Sequence, residues 1–175
     1  MHESAGYDPQ ALFRSMLLEH AGLVFKVAGA FAHTGPDRED LTQEILLQIW
    51  HALPRFEAKA KVSTWVYRVA LNTALAWRRK EKKHPEHVPL FEVEDLSAGS
   101  SDGGLAQDRE LVDALYAAIR NLPKVDACLV MMYLDDLSYR EMADILGISE
   151  DNVGVKLNRA RKTLAESMKE ISRES

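Results

Sequence analysis

Between residues 151 and 162, eight side chains are of the types that read or grip a nucleic acid: Asp151, Asn152, Val155, Lys156, Asn158, Arg159, Arg161 and Lys162. They are interleaved with Val153, Leu157 and Ala160, and further on with Leu164, Met168 and Ile171. At about 100° per residue the apolar set makes one stripe. Asp151, Val155, Arg159 and Lys162 fall roughly opposite it, with Asn152 and Asn158 on the shoulders. Asn and Arg can make paired hydrogen bonds to base edges in a major groove, and Val155 can touch a thymine methyl. Lys156 and Arg161, nearer the flanks, suit phosphates. A solvated amphipathic helix would also show such a stripe, but it gives no reason for the basic groups to gather there.

What precedes that helix would hold it in place. Ser138-Tyr-Arg-Glu141 has the form of a capping box, and Met142, Ala143, Ile145 and Leu146 face inward on a short helix. Gly147 suits a left-handed turn, Ile148 plugs the angle, and Ser149 caps the following helix. Short helix, glycine turn, longer helix is the order of a helix-turn-helix.

A second cationic surface lies in the first half. Arg68, Asn72, Leu75 and Arg79 share a helical face, preceded by Lys59, Lys61, Ser63, Thr64, Trp65 and Tyr67 and followed by a tail running from Arg78 to Lys83. Cations mixed with amide, hydroxyl and aromatic groups suit unstacked bases, each stacking contact being worth about 1–3 kcal/mol. Trp77 fits a core position; Trp65 fits core or surface equally.

The 175 residues carry a net charge of −5, which conceals strong local fields. Residues 55–83 hold nine basic groups against two acidic ones, and residues 152–169 hold five against one. Residues 84–108 hold six acidic groups and no Lys or Arg. An acidic chain with two separated basic stretches can bind nucleic acid, because phosphates respond to the local field. The single cysteine, Cys128, excludes an internal disulfide framework and a cysteine zinc site, and its apolar neighbours make it a small core residue. No glycine-rich phosphate loop, His pair or Cys/His couple is present, so no enzyme, metal or cofactor is expected. With no membrane span or secretory signal, the expected location is the cytoplasm.

The positioning elements are helices throughout. Asp8-Pro9 opens a first helix, which Thr34-Gly35-Pro36 ends. A second carries Leu41, Ile45, Ile49 and Ala52 on one stripe and stops at Leu53-Pro54. A third starts at Ser63, with Val66, Val69, Ala70, Thr73, Ala74 and Trp77 on one face. The expected fold is all-α: a three-helix bundle over 1–83, an acidic flexible linker over 84–108, and a helix-turn-helix domain over 109–175.

Segments in both halves of the chain carry a resemblance. Asp40-Leu-Thr-Gln-Glu-Ile-Leu-Leu-Gln-Ile-Trp50 and Ser63-Thr-Trp-Val-Tyr-Arg-Val-Ala-Leu-Asn72 resemble the second region of bacterial sigma factors. Leu122-Pro123, Leu137 to Ser149 and Asn158-Arg-Ala-Arg161 resemble their fourth region. Two such domains without a third between them resemble the extracytoplasmic-function (ECF) group. The resemblance implies that Asp40, Gln43 and Glu44 bind the clamp helices of core RNA polymerase, and Leu47 and Trp50 beside them suit the same protein partner. It implies that Lys59, Lys61, Ser63, Thr64, Arg68 and Asn72 take melted minus-ten strand, to which Trp65, Arg78 and Arg79 of the same cationic surface are added. The C-terminal set, Asp151 to Lys162, would read the minus-thirty-five duplex.

The acidic linker would thread toward the polymerase cleft along the RNA path, or serve as a solvated spacer. A sequestering anti-sigma factor is a further implied partner. One departure stands out: where the family commonly has a basic residue and then serine after the first helical valine, this chain has Gly154-Val155. The implied contact is lost, or moved to Lys156 or Asn152, and promoter preference differs accordingly.

Overall fold

The structure, a computed structural model, describes residues 8–81 and 103–174. It contains seven α-helices and, among the described residues, no strand: α1 (Pro9–Phe31), α2 (Gly35–Ala52), α3 (Val62–Glu81), α4 (Gly103–Asn121), α5 (Lys124–Leu134), α6 (Tyr139–Leu146) and α7 (Glu150–Glu174). The acidic segment 84–102 and the basic residues Lys82 and Lys83 lie outside the described residues. Helix α4 begins at Gly103, within the stretch read above as linker.

Local chemistry sets the helix ends. Asp8 accepts from the Gln10 amide at 2.9 Å, and Pro9 needs no partner for an amide hydrogen it lacks. Thr34 caps α2 through the Asp37 amide, with Pro36 in the first turn. A 3-10 turn at Leu53–Arg55, entered through Pro54, ends that helix. Helices α1, α2 and α3 pack on one another around Val27, Phe31, Leu41, Ile45, Ile49, Val66, Ala70 and Ala74.

The second half is organised by α5. Every residue from Asp126 to Met132 is buried, so this helix is enclosed on all sides rather than on one stripe. It packs against α4, α6 and α7, and also against α1 of the first half. Helix α6 in turn rests on α3, and α4 on α1. The buried apolar side chains of both halves therefore form one continuous cluster, with Cys128 fully enclosed in it. Burial pushes the Cys128 thiol up to about 12.

Polar contacts stitch the same seam. Tyr67 on α3 is buried; its hydroxyl donates to the Asp135 carboxylate and lies 3.3 Å from the Met131 carbonyl oxygen. Lys26 on α1 pairs with the same carboxylate. Burial first, and then the Asp135 hydrogen bond, hold the Tyr67 phenol far above its ordinary pKa. Arg120 donates to the Gly29 carbonyl at 2.9 Å, and burial and the neighbouring Arg38 charge lower its pKa.

Candidate nucleic-acid interface

The helix-turn-helix is built as its residues dictate. The Ser138 hydroxyl accepts from the Glu141 amide at 3.2 Å, and the Glu141 carboxylate accepts from the Ser138 amide at 2.9 Å. Gly147 adopts φ 67°, ψ 36°, the left-handed conformation that costs glycine least. Its amide and that of Ile148 both return to the Ala143 carbonyl. The Ser149 hydroxyl accepts from the Asn152 amide at 3.3 Å and starts α7.

On α7, Val153, Leu157 and Ala160 are wholly buried, which turns the opposite face outward. Val155 is 72% exposed, and Asp151, Asn152, Asn158, Arg159, Arg161 and Lys162 are exposed with it; Lys156 is partly covered. Two of the cations are held from behind. Arg161 lies over the Tyr133 ring at 4.7 Å, and Arg159 pairs with the buried Asp126 at 3.0 Å. A Cβ added to Gly154 would meet only Tyr139 Cε2, at 3.5 Å, so packing does not require a glycine there.

The first-half residues expected to face a strand are divided in the structure. Lys61 pairs with Glu141 at 2.9 Å, and Arg68 Nη2 donates to the Asp144 carbonyl at 2.8 Å, both on α6. The Lys61 hydrogen bond, and then those from Ser138, lower the Glu141 carboxyl to about 2. Asn72 is exposed on α3, and Arg79 folds back onto the Leu75 carbonyl at 3.2 Å. Lys59 pairs with Glu57 in the loop. Thr64 is buried, Ser63 is half-buried, and Trp65 packs at 5.0 Å on Phe56. Arg78 sits over Phe31 and reaches the Arg120 carbonyl, away from Lys61 and Arg68.

On α2, Asp40 and Gln43 are exposed, Leu47 is 47% exposed and Trp50 37%. Glu44 accepts from Gln48 at 2.9 Å, and Trp50 meets Phe13 edge-on at 5.1 Å. An apolar pair kept partly in water beside amide and acidic groups has the make-up of a protein-docking face.

Sequence reasoning missed Asp126 and Asp135. The signal for Asp126 was present: a lone acid at the start of the apolar run Ala127–Met132. Among the described residues no three His, Cys, Asp or Glu side chains gather as a metal site, and no helix is long and apolar enough to cross a membrane.

Residues 16–84 match the family model for sigma-70 region 2, and residues 113–164 match that for sigma-70 region 4. The chain is 31% identical over 146 residues to the ECF RNA polymerase sigma factor SigW of Bacillus subtilis, covering 77% of each. It is 25% identical over 173 residues to the ECF RNA polymerase sigma-E factor of Escherichia coli K12, covering 94% of this chain and 90% of that one. Two solved structures share the fold. The sigma factor RpoE of Bartonella quintana, in complex with the anti-sigma factor NepR, gives a TM-score of 0.68 at 20% identity over 90% of this chain and 96% of that one. CnrH in complex with the cytosolic domain of CnrY gives 0.63 at 19% identity, over 90% and 87%.

The chain thus belongs to the ECF group of RNA polymerase sigma factors, a family of non-catalytic transcription regulators. It is an alternative sigma factor, which binds core RNA polymerase and directs promoter recognition, strand opening and transcription initiation.

Proposed function

We propose a division of this work among the three surfaces. Residues 109–175 form the duplex-reading domain, with α7 in the major groove of the minus-thirty-five element. Residues 1–83 form the polymerase- and strand-binding domain, and residues 84–108 connect the two. Asp40, Gln43, Glu44, Leu47 and Trp50 dock on polymerase. Lys59, Lys61, Ser63, Thr64, Trp65, Arg68, Asn72, Arg78 and Arg79 serve the melted minus-ten strand. The chain has no catalytic activity of its own, works in the cytoplasm, and is sequestered by an anti-sigma factor, as the Bartonella quintana RpoE–NepR complex supports by analogy.

The observation that carries the reading is the outward face of α7. Val155 stands exposed with Asn152, Asn158 and Arg159 around it, behind a fully capped helix-turn-helix. Unlike an exposed helix with no docking partner, it presents one apolar and several hydrogen-bonding groups at groove-reading spacing. In the arrangement described, Lys61 and Arg68 each hydrogen-bond to α6, so binding a strand with these two cations means giving up those bonds.

The test is a pull-down of core RNA polymerase with the purified chain, followed by transcription from a genomic fragment library. Binding with new, discrete start sites is expected. Absence of polymerase binding, with salt-sensitive binding to bare palindromic duplex instead, would replace this reading with an autonomous helix-turn-helix regulator.

A further inference from the structure

Asp126 is the one charged residue that is buried among the described residues, at 3% exposed. A carboxylate withdrawn from water is tolerated only when paired and hydrogen-bonded. Its recorded side-chain partner is Arg159, which reaches across from α7: Nη2 lies 3.0 Å from one carboxylate oxygen and 3.3 Å from the other. Asp126 also sits in the first turn of α5, where an acid favours the helix start. That explains an acid at an exposed first turn. It does not explain one enclosed in the core with a guanidinium drawn over it.

Arg159 is not buried by this pairing. Its side chain stays 64% exposed, one helical turn beyond Val155. Every recorded contact falls on Nη2, so the donors of Nε and Nη1 have no protein partner among the described residues. The guanidinium is planar, and fixing one edge of it fixes the direction of the rest.

We infer that Asp126 is a positioning residue for sequence reading: it takes one hydrogen of Arg159 Nη2, so that the other Nη2 hydrogen and the adjacent donor of the fork meet the O6 and N7 acceptors of a single guanine. The inference rests on α7 being the duplex-reading helix. Anchoring has two consequences. The long Arg side chain loses its rotational freedom before DNA arrives, so less is lost on binding. The pair is also close to neutral, so Arg159 adds little to the indiscriminate attraction of phosphates and acts mainly through hydrogen-bond geometry.

The experiment uses the full chain with core RNA polymerase. The probe is a promoter fragment selected by the wild-type holoenzyme from a genomic library, with each upstream base pair replaced in turn and relative affinities measured by competition. Wild type should reject replacement of one G·C pair by about tenfold or more. Asp126→Asn is nearly isosteric. It should collapse discrimination at that pair alone to about threefold or less, while affinity for unrelated duplex stays level or rises. Arg159→Ala should lose discrimination at the same pair, with a further general weakening from the lost cation, and the double variant should discriminate no worse at that pair than either single one.

Thermal melting accompanies each variant. If Asp126→Asn does not fold, Arg159→Lys serves in its place: it keeps a cation opposite Asp126 but removes the fork, and the same selective loss is expected. Full discrimination retained at every pair would overturn the inference. So would a loss of affinity uniform across sequences, which marks a phosphate contact or a purely structural role. A wild-type holoenzyme with no upstream base preference would instead refute the reading of α7 itself.

Discussion

Asp135→Ala tests whether the seam between the two halves is held by polar contacts as well as by packing. The Asp135 carboxylate accepts from the buried Tyr67 hydroxyl and pairs with Lys26. A hydrogen bond to a charged group contributes about 1.5–3 kcal/mol. Tyr67 keeps the Met131 carbonyl at 3.3 Å as a fallback acceptor, which places its loss at the lower end. Lys26 is half exposed, and pairs of that kind contribute about 0–1 kcal/mol.

The expected cost is therefore about 2 kcal/mol, or a fall in thermal midpoint of about 4–8 °C for a chain of this size. Tyr67→Phe should cost about 1–2 kcal/mol and, combined with Asp135→Ala, add little, because both remove the same bond. Differential scanning calorimetry of the four chains measures this. Full additivity of the two substitutions, or an Asp135→Ala midpoint within about 1 °C of wild type, would refute the reasoning.

Asn72→Ala should spare polymerase binding yet impair strand opening, so a normal permanganate footprint at the minus-ten element would count against its place in the strand-facing set. The Glu141 carboxyl is lowered from 4.5 to about 2, so its ionised form favours the folded state: the contribution is complete above about pH 4.5 and disappears as pH falls toward 2. The difference in thermal midpoint between wild type and Glu141→Gln should shrink across that window, and a difference constant with pH would exclude this origin. Gly154→Ala should raise stability by about 0.5–1 kcal/mol, since a mid-helix glycine is unfavourable and the added methyl meets only ordinary contact with Tyr139. A lower midpoint would show that the glycine is needed for the local backbone.

The features that were legible in the sequence are those decided by neighbours within a few residues. Asp8-Pro9, the Ser138–Glu141 box and the Gly147 turn each rest on interactions no longer than one helical turn, and all formed as the residue types dictate. Periodicity identified Val153, Leu157 and Ala160 as the buried stripe of α7, which left Val155 and Arg159 outside. What the face of a helix meets is a different matter. Arg68 and Lys61 bond to residues 76 and 80 positions away, and no local pattern encodes such a pairing. Both read as available for a strand from their place on or just before α3; both stay exposed, but α6 takes up their hydrogen bonds. Arg159 was read as a base contact from its position on α7, whereas its partner Asp126 comes from another helix 33 residues back. The acidic stretch 84–108, with its prolines, glycines and serines, reads as a linker between two separate domains. The enclosure of α5 on every side joins them.

That shared core would set a threshold for any ligand that bound only when the halves were apart. A ligand that requires α6 to leave α3 binds only the fraction of molecules in which the halves are apart, and its apparent dissociation constant is the intrinsic one divided by that fraction. With one molecule in about a hundred open, the apparent affinity is weakened about a hundredfold. Substitutions on α6 or at Tyr67 that touch neither polymerase nor DNA then change how much polymerase is needed for transcription. For such a ligand the seam between the two halves acts as a gain control, set by packing rather than by any residue that reads a base.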